Sequence, residues 1–210
     1  VELAQEYDVV ILEDTPYREL RYDGERLPTL KSLDTDGRVI HVGSFSKILA
    51  PGLRLGWVLA APAIREKLVL LKLAADTQNG TLNMRVAAAY LAGFDIDAHI
   101  AGMLPSYRRK RDLMLAGITE HFPPEVVCTR PQGGLFTWVS FPPPFDVAAF
   151  QRETLIPRAG IIIVPGAPFF PDRPEGHHAR MSYSGVPDER LVAGVRTMGA
   201  LLAEQSWSAG

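Results

Sequence analysis

Gly43-Ser44-Phe45-Ser46-Lys47-Ile48-Leu49-Ala50-Pro51-Gly52-Leu53-Arg54-Leu55-Gly56-Trp57 is the stretch from which the rest of this chain is best read. An apolar run from Val39 to Val42 leads in, with His41 as its only polar member. A second run, Leu53 to Ala60, leads out. A loop of this content between two buried strands suits an anion with a reactive carbonyl nearby. Ser44, Ser46 and Arg54 offer donors to phosphate oxygens, and arginine adds the planar two-point grip that phosphate favours. The amine of Lys47 becomes a nucleophile toward a carbonyl once burial or a neighbouring cation favours its neutral form. The same residues also fit a plain turn with a solvated lysine, because Ser, Gly and Pro punctuate turns.

Asp8-Val9-Val10-Ile11-Leu12 reads as a second buried strand, a continuous apolar run rather than an alternating one. It ends at Glu13-Asp14-Thr15-Pro16-Tyr17. Ligands of open α/β sheets bind just beyond the carboxyl ends of strands, which is where Asp14 falls. An Asp-Thr-Pro turn with a packing tyrosine is the alternative.

Ser44-Phe45-Ser46-Lys47, followed by Pro51-Gly52-Leu53-Arg54-Leu55-Gly56, closely resembles the cofactor-lysine motif of the pyridoxal-phosphate-dependent class I/II aminotransferases. The resemblance implies that Lys47 is catalytic and carries pyridoxal 5'-phosphate as a Schiff base. It implies that Ser44, Ser46 and Arg54 bind the cofactor phosphate. It also implies that Asp14 faces the pyridine nitrogen and Tyr17 the phenolic oxygen. Pro131-Gln132-Gly133-Gly134-Leu135-Phe136 resembles the family's Pro-x-Gly-Gly-x-Phe, and Pro165-Gly166 with Phe169 its Pro-Gly-x-x-Phe. Arg180-Met181-Ser182-Tyr183 resembles the segment whose arginine binds the substrate α-carboxylate. Without the family, Arg180 reads as an exposed strand residue.

Composition sets bounds. The chain has 210 residues, 47% hydrophobic and 22% charged, which suits a folded core and argues against disorder. A net charge of -2 gives no general drive toward nucleic acid or an anionic membrane. Cys128 is the single cysteine, which excludes an internal disulfide and a multi-cysteine metal site. Its valine neighbours suggest a small core residue. No apolar run is long enough to span a bilayer and no leader is visible, so the reading is a cytoplasmic protein.

In chain order, Val1 to Tyr7 reads as the end of an amphipathic helix, and residues 21–37 as loop. Pro62 opens a helix in which Ile64, Leu68, Leu71 and Ala75 recur at helical spacing. Asp76 to Thr81 interrupts it with a polar connector, and an alanine-rich helix over 82–92 ends at Gly93. Ile96 to His121 is a long amphipathic pattern in which Pro105 either kinks the helix or sets its start near Leu104. Arg108, Arg109, Lys110 and Arg111 read as a solvated helix face rather than a nucleic-acid patch. Strands are expected at 126–128, 134–139, 160–166 and 178–184. Asp146 caps a short helix running to about Ala159, Asp188 caps the last helix to about Glu204, and the tail looks disordered. His177 and His178 suggest a metal pair, but with no carboxylate or third ligand nearby no metal is expected.

The resemblance implies an α/β fold. Residues 1–80 are the later part of a fold type I large domain with a mainly parallel sheet. Residues 81–95 form a linking helix, and residues 96–210 a small C-terminal α+β domain. It implies a transaminase acting on amino-acid and 2-oxo-acid substrates as a homodimer, with no nucleic acid or membrane partner for this segment. A pyridoxal-phosphate lyase and the effector module of a MocR-type transcription regulator are the alternatives. The resemblance starts at Val1 but corresponds only to the family's C-terminal half or so. A phosphate loop, a ring-stacking aromatic and an asparagine of the family find no match in residues 1–210, so this stretch alone is expected not to transaminate.

Overall fold

The computed structural model describes residues 1–172 and 175–205. They fall into two compact units, residues 1–103 and residues 104 onward, with the division inside one long helix. No helix among the described residues is long and apolar enough to cross a membrane.

The first unit begins with helix α1 (Glu2–Glu6). Strand β1 runs Ile11–Asp14, later than the apolar run Asp8–Leu12 predicts. Asp8 takes a left-handed φ of 49°, and the Asp8 and Val9 amides bond back to Gln5 O and Ala4 O. Residues 8–10 are thus spent leaving the helix. Strand β2 (Val39–Ser44) pairs parallel with β1, placing Asp14 opposite Val42. Strand β3 (Gly56–Leu59) pairs antiparallel with β2, placing Ser44 opposite Gly56. Residues 21–37 are irregular apart from a bridge residue at Arg21 and a short 3-10 turn, Lys31–Leu33.

Asp34 fixes the approach to β2. Its carboxylate accepts from Lys31 Nζ (2.8 Å) and from the Gly37, Arg38 and Val39 amides (3.1, 3.2 and 3.1 Å). The Lys31 bond, aided by the Val39 and Arg38 amides, holds the carboxyl well below the usual carboxylate range.

Helices α2 (Pro62–Ala75) and α3 (Thr81–Gly93) follow as the spacing predicts, separated by the polar break. The expectation of buried strands fails in part. All four residues of β3 are exposed, as are Val9, Val10 and Leu12. Helix α2 buries none of its residues. An apolar run signals a surface that is to be covered, and among the described residues no layer covers this one.

Two glycines let β2 and β3 meet. A Cβ on Gly56 would stand 2.7 Å from the backbone oxygen of Gly43. The nearest atoms a Cβ on Gly43 would meet belong to the indole of Trp57, at 2.2 Å. An indole can turn away, whereas a paired backbone cannot. Gly56→Ala is therefore expected to cost about 1–3 kcal/mol, seen as a melting temperature lower by roughly 2–10 °C. Gly43→Ala should cost less. Equal melting of the two variants would refute this account.

The second unit holds an antiparallel sheet in the order β4 (Val127–Cys128), β5 (Phe136–Ser140), β7 (His178–Ser182), β6 (Val164–Pro165). One helix, α4 (Ile96–His121), spans the division between the units. Its start stays at Ile96, where the Asp95 carboxylate accepts from the Asp97 and Ala98 amides (2.9 and 3.1 Å). Pro105 lies inside it, so the later start near Leu104 is corrected. Met114 and Ile118 of α4, with Phe122 just after it, pack with Val139, Met181 and Tyr183 in the core.

The basic cluster is not simply a solvated face. Arg109 Nη2 and Lys110 Nζ each lie 2.9 Å from the Asp188 carboxylate. Arg111 is buried and donates to Pro131 O at 2.8 Å. Asp188 is accordingly the first residue of the last helix, α7 (Asp188–Ala203), and not its cap. Lys110 and Arg109 hold its carboxyl below the usual range. Asp146 does cap helix α5 (Val147–Phe150), accepting from the Ala149 amide at 3.0 Å. The chain continues through a π-type turn at Gln151–Leu155 into α6 (Ile156–Ala159), which ends at Gly160 with φ 62°.

The strand expected over 160–166 shrinks to β6. Ile163 is buried in the core, and its amide bonds Gln151 Oε1 at 2.7 Å instead of a neighbouring strand. Cys128 is half-buried against the core, and burial pushes its thiol pKa up. Residues 206–210, read from sequence as a disordered tail, lie outside the described residues.

Candidate active site

Because β1 and β2 are parallel, their carboxyl ends lie at one end of the sheet. Because β3 is antiparallel, it begins there. That topology brings Asp14, Tyr17, Ser44, Ser46, Lys47 and Arg54 to the same sheet end. Asp14 is exposed, and its neighbour Glu13 is half-buried. Glu13 accepts from the Leu30 and Lys31 amides at 2.7 and 2.9 Å, which holds the loop beside β1. Lys47 Nζ stands 5.8 Å from the centre of the Tyr17 ring, so the amine and the phenol share one space.

The lysine loop is ordered by its own backbone. The Phe45 amide bonds Leu55 O (3.1 Å), and the Leu49 amide bonds Phe45 O (2.9 Å). The Ser46 amide bonds Ser44 Oγ (3.0 Å), so the two serines are set by one turn. Arg54 closes the short 3-10 turn Pro51–Leu53 in a left-handed conformation, φ 53°. Side chains beyond the motif brace that uncommon backbone: Asn79 Nδ2 donates to Arg54 O (2.9 Å) and Asn83 Nδ2 to Leu53 O (3.1 Å). The polar break between α2 and α3, through Asn79, and the first turn of α3, through Asn83, thus clamp the loop that presents Arg54.

His41 is a further residue to which the sequence assigns no role. It is buried, its Nε2 lies 2.7 Å from Thr15 Oγ1, and its ring meets the Trp57 ring edge-on at 4.7 Å. The contact ties the turn after β1 to the middle of β2, which fixes Asp14 relative to the lysine loop. No spacing rule announces it, since the two residues are far apart in sequence.

Arg180 stands on β7 in the second unit, opposite Trp138. It is half-buried rather than an exposed strand residue. Its guanidinium lies over the Phe136 ring at 4.3 Å and the Phe169 ring at 5.1 Å. Its Nε is buried without a hydrogen-bond partner. Phe136 and Phe169 are the aromatic ends of the two glycine motifs noted in the sequence, and their work here is to wall this guanidinium. A buried donor left unpaired is costly, and Arg180 Nε is able to take an acceptor.

The histidine pair also differs from expectation. Glu175 Oε2 lies 2.9 Å from His178 Nε2 and 3.6 Å from His177 Nε2, so a third ligand is present after all.

A parallel strand pair ending in a lysine loop thus gathers an amine, two serines, an arginine and an aspartate at one sheet end. Residues 1–197 match the family model of aminotransferase class I and II. The chain belongs to that family. It is 37% identical over 205 residues to aromatic-amino-acid aminotransferase 1 of Thermococcus litoralis, covering 98% of this chain and 49% of that protein. It superposes on the α-aminoadipate aminotransferase LysN of Thermus thermophilus, crystallised with N-(5'-phosphopyridoxyl)-L-leucine, with a TM-score of 0.89 and 35% identity. That match covers 96% of this chain and 52% of LysN. It is also 39% identical over 151 residues to the uncharacterized HTH-type transcriptional regulator YjiR of Escherichia coli, covering 72% of this chain and 32% of that protein. The chain spans about half the length of the aminotransferases it matches.

Proposed function

We propose that these residues belong to a pyridoxal-phosphate-dependent transaminase that moves an amino group between an α-amino acid and a 2-oxo acid. The observation that carries the reading is the placing of Lys47 Nζ beside Tyr17, at the sheet end that also gathers Asp14, Ser44, Ser46 and Arg54. The donor set fits the cofactor: one amine for its carbonyl, two hydroxyls and a guanidinium for its phosphate, a carboxylate for its ring nitrogen and a phenol for its ring oxygen. When bound, the cofactor supplies an electron sink for the bond broken at the substrate Cα.

The protein's own residues do the rest. Asp14 keeps a proton on the ring nitrogen by its negative charge. Ser44, Ser46 and Arg54 anchor the phosphate, and Asn79 and Asn83 hold the loop that presents Arg54. Lys47 Nζ moves the proton at the substrate Cα. Arg180 binds the α-carboxylate by two parallel hydrogen bonds and so orients the Cα–H bond. We assign residues 1–80 to the large domain, 81–95 to a linking helix and residues from 96 to the small domain of a cytoplasmic homodimer.

The first test is chemical trapping. Borohydride reduction of the chain incubated with pyridoxal 5'-phosphate is expected to leave a phosphopyridoxyl group on the peptide containing Lys47. A label spread over other lysines, with Lys47 unmodified, overturns the reading. The likeness to YjiR supports a second reading, the effector module of a regulator. A natural chain that joins these residues to a helix-turn-helix and binds DNA without turning over amino acids would favour it.

A further inference from the structure

Glu175, His177 and His178 offer three ligand atoms that all lie within 4.8 Å of one another. They sit where the segment after Phe170 joins β7, and the proposed catalytic machinery uses none of them. His178 is built into the sheet. It faces Ser140 across the β5–β7 pair, and its Nδ1 lies 2.9 Å from Ser140 Oγ. Its ring stacks on Trp138 at 5.6 Å and on Phe170 at 5.3 Å. The His177 ring lies 4.1 Å from it, and the Phe141 amide bonds His177 O at 2.8 Å. Both Nε2 atoms therefore address the same carboxylate oxygen, Glu175 Oε2, from rigid backbone.

From this arrangement we propose that Glu175, His177 and His178 form a binding site for a divalent transition metal of the zinc type. Two imidazoles and a carboxylate are borderline ligands of the kind that zinc takes, with its remaining position left to water. Ser140 supplies the outer support that metal-bound histidines require. A hydroxyl can donate or accept. Without metal, Ser140 donates to His178 Nδ1 while Nε2–H donates to Glu175. With metal, the ion takes the place of that Nε2 proton, the proton resides on Nδ1, and Ser140 accepts it. No proton is gained or lost when the imidazole starts neutral, so the exchange balances. An ion here would pin Glu175 to β7 two residues from Arg180.

The test is titration of the chain with ZnCl2 by calorimetry near pH 7.5, and with CoCl2 by visible absorption. One ion per chain is expected, with Co2+ giving the intense bands of a four-coordinate nitrogen and oxygen site. His178 is packed between rings, so the variants are made at its less enclosed partners. Glu175→Gln and His177→Gln are each expected to weaken Zn2+ binding about 10-fold or more, and Ser140→Ala about 10-fold. His121→Gln, at a histidine outside the cluster, should leave it unchanged. No saturable binding up to millimolar Zn2+ overturns the proposal. So does binding that Glu175→Gln and His177→Gln leave intact.

Discussion

Replacing Lys47 by alanine is expected to lower kcat for transamination by about 1000-fold or more in the full natural chain that carries these residues. Two losses combine. The cofactor loses its covalent anchor, and the Cα proton loses the amine that moves it, which alone is a factor of about 100–10,000. Lys47→Arg makes the point sharper. It retains the positive charge and much of the length, but a guanidinium is never neutral in a protein and is a poor base. It should therefore fail as completely as alanine. Binding of pyridoxal 5'-phosphate should weaken without vanishing, because Ser44, Ser46, Arg54 and Asp14 remain. Stopped-flow absorbance of the half-reaction with an amino acid measures the step directly. A variant within 10-fold of wild type would show that another group moves the proton.

Arg180→Ala is expected to cost about 2–4 kcal/mol in kcat/KM toward amino acids, since it removes a charge-assisted, two-point contact. The loss should be specific to the carboxylate. Decarboxylated amines corresponding to good substrates, already poor, should be no poorer with the variant. Arg180→Lys should recover only part of the loss, because an ammonium cannot make the planar double bond. Folding stability should fall little, because the substitution also removes a buried Nε that has no partner. Equal turnover of an amino acid and its amine by the wild type would remove Arg180 from this role.

Much of this was legible in the sequence for physical reasons. The lysine loop combines residue types that serve anion and carbonyl chemistry, and the family motif fixes their spacing. Helix α2 carries clear helical spacing, α3 is alanine-rich up to Gly93 and α7 opens at an acidic residue, so their extents were close. What escaped was set by tertiary context. Asn79 and Asn83 act on carbonyls far back in the chain, and a polar break says nothing about what it bonds. His41 meets Thr15 only because β1 and β2 lie side by side. Asp188 has the sequence signature of a cap, but Lys110 and Arg109 claim its carboxylate. The apolar run at 160–163 reads as strand because burial and pairing leave the same pattern, and there Ile163 is buried without pairing while Ile162 stands exposed. Glu175 stands close to the histidines in the sequence itself and was the one readable signal passed over.

The uncovered leucines of α2 and the outward surface of β3 set how this chain behaves in a tube. Leu70, Leu71 and Leu73 are 60%, 66% and 58% exposed on a single helix, and Val58 and Leu59 stand bare on the sheet edge. Such surface favours molecules sticking to one another, and only charge repulsion opposes it. That repulsion is weak here: the net charge is -2 at neutrality and the isoelectric point is about 6.2. Solubility of these residues is therefore a colloidal property, poorest in mildly acidic, salty buffer at high concentration. Dilute, slightly alkaline solutions of low ionic strength keep the molecules apart without altering the fold.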